Sequence, residues 1–404
     1  MRLGSRCAAA YLVVILASCT TTGEPASEPP ETTTAVPSPS PGTGSPGERP
    51  TEPHRTPDPR PPREFTVVMA GDVLLHDGLW VTARRDATVA GRSGMDFRPL
   101  LRGMRAVVDG ADLAVCHLEV PLAPRGGPYS GYPIFSGPPQ IVPALAWAGF
   151  DACTTASNHS VDQGLGGIRR TLDTLDAHQV AHAGTARTPG EARRPVIVRV
   201  GRARVGLVSQ TYGVGLPVER PWSVQVIDTA DILRRARAAR AAGADVVLVG
   251  LHWGLEYQSE PTPEQRSIAR RLLRSAAVDL LYGHHAHVAQ PFERIGGKWV
   301  AYGLGNMVAQ QETDVTGVYE GVTARFTFRE RRGGRFAVHK AEYIPTYITP
   351  YDPGTPRMRL LRTTRALETG HPDASARALS ASLARVNEAV NLLGARSHGL
   401  RLAR

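Results

Sequence analysis

The stretch Gly283–Gln290, GHHAHVAQ, decides how this chain is read. It follows the apolar run Val278–Tyr282, so it reads as a loop leaving a buried strand. His285 and His287 stand two residues apart. On an extended backbone both imidazoles point to the same side and can hold metal ions in one cleft. Four more loops carry comparable groups after apolar runs: Asp72 in MAGDVLLH, Glu119 in AVCHLEVPL, Asn158 and His159 in TTASNHSVDQG, and His252 in VLVGLHWGLEY. Loops at the carboxyl ends of strands are where open α/β sheets build their sites.

Working outward, the stretches EFTVVMAG, DLAVCHL, DACTTA, DVVLVGLH and VDLLYG read as core strands. Amphipathic stretches lie between them. Gly164–His178 carries Leu165, Ile168, Leu172 and Leu175 on one helical face. Further helices are expected over about Phe97–Asp109, Ile141–Ala148, about Thr262–Ala276, and from Thr229 as N-cap to Gly243. Pro121–Pro139 is a Gly/Pro/aromatic loop long enough to be functional. Pro195–Val200 and Arg204–Ser209 flank Gly201-Arg202 as a hairpin. Lys298–Leu304, Gly321–Arg329 and Phe336–Tyr343 add strands. Parallel βαβ units together with antiparallel pairs predict a mixed-sheet α/β sandwich over residues 63–345. Residues 346–404 read as an Arg-rich, partly helical tail with a helix near Ser375–Leu393.

Before the folded body, Arg2 and Arg6 precede an apolar run from Ala8 to Ala17 that ends in Leu16-Ala17-Ser18-Cys19. This is a secretory signal pattern, too short for a permanent span. Its ending resembles the bacterial lipobox, so residues 1–19 are expected to be a lipoprotein signal with Cys19 lipidated. Residues 20–62 are rich in Pro, Thr, Ser and Gly and cannot bury enough surface to fold. Extended at about 3.1 Å per residue, such a linker reaches roughly 130 Å. The expectation is a protein held by its lipid at the outer face of a bacterial cell membrane.

At 404 residues and 42% hydrophobic the chain can build a large core, and its net charge is +10. Of 47 basic residues only Lys298 and Lys340 are lysine. The arginines are spread over helix faces with no recognition motif, so no nucleic-acid partner is expected. Cys116 and Cys153 lie in core strands of an oxidising compartment. They would pair if those strands were neighbours; two buried free thiols are the expectation.

Imidazoles and carboxylates suit divalent transition metals, and a two-metal site needs several of each. Asp72, Glu119, Asn158, His252, His285 and His287 provide three imidazoles, two carboxylates and an amide. A carboxylate such as Glu119 can bridge two ions. His159 would be free to act as general acid, with Asp162 holding its ring in one tautomer. The cofactors expected are two divalent ions: Mn, Fe or Zn.

Six motifs in order, GDVLLH at Gly71, HLEVPL at His117, SNHSVDQG at Ser157, HWGLEY at His252, GHHAHVAQPFE at Gly283 and YGLGNM at Tyr302, resemble the capsule-synthesis CapA family, also called the poly-γ-glutamate biosynthesis family, of the calcineurin-like metallophosphoesterase superfamily. The resemblance implies a four-layer α/β sandwich with its site at the strand ends. It matches Asp72 to the first-motif aspartate, Glu119 to the acid of N-L-E, Asn158 and His159 to N-H, His252 to H-W-G, and His285 and His287 to H-P-H. His284 falls at a variable position. His117 stands in place of Asn, Ala286 in place of Pro, and Leu74 in place of the superfamily's first-motif histidine, with His76 two residues on. The implied function is a metal-dependent hydrolase of phosphoesterase type in the synthesis or export of a cell-surface polymer, with an anionic polymer or phosphoester as substrate. The alternative is a non-catalytic accessory subunit of a polymer synthesis or export complex. An amidohydrolase barrel is disfavoured, because there the H-x-H pair follows the first strand.

Overall fold

Alternate residues of the central strands face two different cores, and that alternation sets the layers. The computed structural model describes residues 63–311 and 314–403. The signal segment with Cys19 and the linker 20–62 lie outside the described residues. The chain first lays down β1 (Glu64–Val73), β2 (Leu113–Leu118), β3 (Ala152–Thr154) and β4 (Ala181–Ala183) in one sheet. It then builds a second sheet from β5 (Val196–Val200), β6 (Ala203–Thr211), β7 (Val246–His252), β8 (Leu280–His284), β9 (Phe292–Ile295) and β10 (Lys298–Ala301). It returns to the first sheet with β11 (Asn306–Val308), β12 (Glu320–Glu330), β13 (Phe336–Ile348), β14 (Leu360–Arg362) and β15 (Leu400–Leu402). The first sheet is ordered β14-β13-β12-β1-β2-β3-β4, with β11 beside β1 and β15 beside β13; the second is ordered β5-β6-β7-β8-β10-β9.

Val67 and Met69 of β1, Leu113 and Val115 of β2, Val246 and Leu248 of β7, and Leu280 of β8 form the core between the sheets. Their neighbours Val68, Ala70, Ala114 and Cys116 pack outward, under the helices Asp77–Val89, Ile141–Ala148 and Gly164–Ala177. On the other side Val247, Val249 and Leu281 pack under the helices Thr229–Ala241 and Pro263–Leu273. Helices, sheet, sheet and helices make the expected four-layer sandwich. Each fully buried Val or Leu contributes roughly 1.5–3 kcal/mol. Among the described residues no helix is long and apolar enough to cross a membrane.

β1, β2 and β3 run parallel, as do β6, β7 and β8. Their carboxyl ends therefore fall on one rim. The segment Tyr302–Asn306 stitches the sheets together there. The Leu304 N–H donates to the Gly283 carbonyl at 3.0 Å, and the Gly305 carbonyl accepts the Asp72 N–H at 2.9 Å. The approach is close enough to require glycine. A Cβ on Gly283 would lie 1.9 Å from the Tyr302 oxygen, and one on Gly71 would lie 2.1 Å from the Gly305 oxygen.

Four expectations are corrected. The boundary at residue 345 falls inside β13, and the tail belongs to the body: β14 and β15 pair with β13, while Val386, Ala389 and Val390 enter the core between the sheets. The helix expected over Phe97–Asp109 breaks into the turns Arg98–Leu101, Arg102–Met104 and Arg105–Val108, where the backbone of Leu360 crowds Gly103. Asp228, not Thr229, caps the next long helix, its carboxylate accepting the Ala230 N–H at 2.7 Å. Cys116 and Cys153 are not free thiols. They face each other in register on parallel β2 and β3, with Cα atoms 4.4 Å apart, and form a disulfide.

The disulfide closes a loop of 37 residues, for which chain entropy gives a stabilisation of about 3–4 kcal/mol. Peptide mapping of unreduced, alkylated protein is expected to recover the two segments linked. A Cys116→Ala/Cys153→Ala chain is expected to unfold at clearly lower denaturant concentration. Recovery of two separately alkylated peptides would contradict the pairing.

Candidate metal centre

Asp72 ends the straight part of β1 and is fully buried. Its Oδ1 lies 2.6 Å from His284 Nδ1. Its Oδ2 accepts the His285 N–H at 3.2 Å and lies 3.3 Å from His287 Nδ1. One carboxylate of the first sheet is thus gripped by three successive groups of GHHAH from the second. Glu119, just past β2, is 1% exposed. Its Oε1 lies 3.7 Å from His287 Nε2 and 3.8 Å from His252 Nε2. His252 Nε2 in turn lies 2.8 Å from Asn158 Oδ1, and the rings of His252 and His285 are centred 4.8 Å apart. The structure therefore brings together all six side chains named from the sequence: Asp72, Glu119, Asn158, His252, His285 and His287.

The path to this arrangement differs from the expected one. The backbone is not extended through the histidine pair: φ is 88° at His285 and 55° at His287. Left-handed conformations at residues with a Cβ cost on the order of 1–3 kcal/mol and gather at functional sites. The turn, rather than a two-residue repeat, aims the rings.

Four more residues join the cluster that sequence reasoning passed over. His284 falls at a variable position of the family pattern, yet it grips Asp72. Its strand held the signal: Leu280, Tyr282 and His284 alternate onto one face, and the first two lie between the sheets. Asn306 of β11 is in register with Asp72, and its Oδ1 lies 3.0 Å from His287 Nδ1. Glu256 is exposed and shares a candidate ligand group with His285 and His287. His117 lies with Asp72 and His284 in another. His76 belongs to none of these groups; according to its tautomer, its Nδ1 accepts the Gln310 N–H at 3.2 Å or donates to the Leu74 carbonyl at 3.1 Å. Leu74 is a buried core residue.

His117 also completes a chain of hydrogen bonds behind His252. Its Nε2 lies 3.0 Å from His252 Nδ1, and its Nδ1 lies 2.8 Å from Thr154 Oγ1. The Thr154 hydroxyl has the Cys116 carbonyl at 3.4 Å as a further acceptor. Because a hydroxyl can donate or accept, the chain holds in either sense with both rings neutral. Burial keeps His117 and His252 well below the ordinary imidazole pKa. When His252 Nε2 presents its lone pair, its Nδ1–H donates to His117, whose own Nδ1–H donates to Thr154.

The two acids sit in opposite electrostatic settings. Burial would raise Asp72, but hydrogen bonds from His284 and His287 hold it well below the usual carboxylate range. Burial pushes Glu119 up to about 8, with His287 opposing. Burial takes His285 down to about 4. Both oxygens of Glu119, His284 Nε2 and His285 Nδ1 are buried without a hydrogen-bond partner. Unpartnered buried acceptors are costly, and a cation removes that cost. Asp72, Glu119 and His287 present ligand atoms within 4.8 Å of one another, as do Glu256, His285 and His287. These residues fit a divalent ion.

His159 stands at the edge of the cluster with a side chain 15% exposed. Its Nδ1 lies 2.8 Å from Asp162 Oδ2, which also accepts the Phe135 N–H at 2.8 Å. Burial lowers the His159 pKa, but Asp162 and Glu119 outweigh it and the net shift is upward. Phe135 comes from the long Gly/Pro/aromatic loop and sets its ring edge-on to His159, 4.7 Å between centroids. Tyr212 and Tyr257 flank the mouth, with ring centroids 4.6 Å from His285 and 6.3 Å from His287.

The profile of the family described as bacterial capsule synthesis protein PGA_cap matches residues 66–311. The chain is 26% identical over 260 residues to the capsule biosynthesis protein CapA of Bacillus anthracis, covering 61% of this chain and 60% of that protein's length. It is 28% identical over 332 residues to a Mycobacterium tuberculosis protein named "probable polyglutamine synthesis accessory protein", covering 73% and 82%. Among solved structures, the calcineurin-like phosphoesterase YfkN of Bacillus subtilis superposes with a TM-score of 0.42 at 14% identity, over 81% of this chain and 98% of that one. A 5'-nucleotidase precursor of Thermus thermophilus gives 0.42 at 15% identity, over 81% and 59%.

Titrating the chain with Mn²⁺ or Zn²⁺ in buffers of different ionisation enthalpy is expected to show proton release. Glu119, raised to about 8, and His287, raised against burial to about 9 by Glu119 and Asp72, must each lose a proton to bind a cation, so affinity rises with pH through that range. His117→Phe keeps a ring but removes the acceptor behind His252, and is expected to weaken binding about 10–100-fold. Binding without proton release would contradict the account of Glu119; full affinity in His117→Phe would contradict that of His117.

Proposed function

This chain belongs to the bacterial capsule synthesis protein family, and from that premise we propose that its strand-end cluster is a metal-dependent hydrolase site of the phosphoesterase type. The protein would act in the synthesis or export of a capsular or cell-surface polymer such as poly-γ-glutamate. The observation that supports this most is Glu119: a buried carboxylate with both oxygens unpartnered, set among imidazoles from the second sheet and Asn158 from the first.

In this reading Asp72, Glu119, Asn158, His252, His285 and His287 hold two divalent ions, Mn, Fe or Zn. Bound there, such ions supply Lewis acidity and lower the pKa of coordinated water. The protein's own part is positioning and proton transfer. Asp72 is locked by the GHHAH turn, and His252 is oriented from behind by His117 and Thr154. His159 commits Nδ1 to Asp162 and keeps Nε2 to deliver a proton to the leaving oxygen. Its raised pKa keeps that proton available near neutral pH. Tyr212 and Tyr257 offer ring faces to a substrate at the mouth. A second reading, a non-catalytic accessory subunit, draws on the name of the mycobacterial relative and on Leu74, an apolar residue where a further imidazole would stand.

His159→Ala is expected to keep metal content and to lower turnover about 10²–10⁴-fold on an ester with a poor leaving group. The loss should shrink when the leaving group is already a weak base. A variant that lost its metal, or kept full turnover on the poor leaving group, would remove His159 from this role.

We also propose attachment to the outer face of the membrane through lipid on Cys19, which would place the site near polymer synthesis or export subunits. Cys19→Ser is expected to move the protein from the membrane fraction to the soluble fraction. Unchanged membrane retention would count against the anchor.

A further inference from the structure

The C-terminal segment that completes the first sheet also walls a cleft of about 770 Å³. Its other walls are the far end of the helix Asp77–Val89 and the turns that follow Asp96. Eight of its 21 lining residues are arginine, in a chain whose 47 lysines and arginines are spread over 404 positions. Three carboxylates share the space. Asp96 holds Arg98 at 2.8 Å and also Arg92. Asp86 takes the fork of Arg359 with two contacts of 2.8 Å. Asp373 lies 3.0 Å from Arg357. Arg85, Arg102 and Arg362 have no ion pair among the described residues, and the Nε of half-buried Arg362 lacks any hydrogen-bond partner.

Like charges gathered on a concave wall focus a positive potential into it. Guanidinium forks match carboxylates and phosphates in two parallel hydrogen bonds, as Arg359 and Asp86 already do inside the cleft. The unpaired arginines come from three separate segments, and the cleft is far larger than a single carboxylate or phosphate. One small anion cannot answer them all. A chain of anionic groups can.

We propose that this cleft binds a strand of closely spaced anionic groups, a polycarboxylate or polyphosphate chain. The helix Asp77–Val89 begins at the metal cluster's rim, and Arg85 and Val89 line the cleft. The start of that helix and the cleft are therefore about 12–18 Å apart along its axis. The inference does not depend on hydrolysis at the rim. If both hold, the cleft would anchor a polymer whose free length reaches the rim.

The test uses the purified full chain with four probes: labelled poly-L-glutamate, labelled linear polyphosphate, neutral dextran and inorganic phosphate. Affinity is read by fluorescence anisotropy at low and at physiological salt. At least one polyanion is expected to bind about tenfold or more tighter than dextran, with affinity falling as salt rises. Which polyanion binds distinguishes carboxylate from phosphate. Arg102→Glu/Arg362→Glu is expected to weaken that binding about tenfold or more, with metal content and melting temperature unchanged. Arg102→Gln/Arg362→Gln is expected to weaken it by roughly three- to tenfold, and decides the matter if charge reversal prevents folding. The proposal is overturned if neither polyanion outbinds dextran, if the Gln pair binds as wild type, or if inorganic phosphate at equal charge displaces the polymer fully. Loss of metal-site activity alone leaves the cleft unaffected, so the two readings fail separately.

Discussion

One buried carboxylate bridges the two sheets at their rim. Asp72 leaves the first sheet and is taken up by the His284 ring, the His285 N–H and the His287 ring of the second. The contact is buried, so losing one partner would leave an uncompensated group at a penalty of roughly 3–5 kcal/mol. It lies next to the place where Tyr302–Asn306 crosses between the sheets and hydrogen-bonds to both Gly283 and Asp72. Backbone stitch and side-chain grip hold the two rims in register. The other members of the cluster hang from the rim so fixed.

Asp72 and Glu119 show how one buried cluster treats two acids differently. Asp72 has hydrogen-bond donors on both oxygens and stays ionised. Glu119 has none, and burial, only partly opposed by His287, raises it to about 8. The first is satisfied by the protein. The second has no hydrogen-bond donor from the protein's own groups, and it belongs to a residue group able to hold a metal ion. The imidazoles divide in a parallel way. His252 and His287 face Glu119, while His117 and His284 stack 4.0 Å apart and orient His252 and Asp72.

The helix Asp77–Val89 relates the rim to the rest of the fold. Its first turn follows the loop from β1, and its last turns lie over the cleft walled by the segment around β14. The same C-terminal segment fills the core between the sheets and extends the first sheet by two strands. Structure that reads in sequence as an arginine-rich appendage thus closes the core and gathers arginines on one concave surface.

Local features of the sequence determined much of this. Apolar runs ending in ligand-type residues located Asp72, Glu119, Asn158, His252, His285 and His287, and the Asn-His-Ser-Val-Asp spacing located His159 beside Asp162. These could be read because strand periodicity and the residues just past a strand are properties of a few neighbouring positions. What required the tertiary structure involves pairs distant in sequence. Cys116 and Cys153 meet because β2 and β3 are adjacent and in register. His284 becomes a partner of Asp72 because two sheets face each other across 212 residues of chain. Residues 346–403 join the body because β12 takes one edge of β13 and leaves the other for β14 and β15. Periodicity tells which face of a strand is buried but carries no label for what lies against it, and the choice among buried partners is made by the packing of the whole chain.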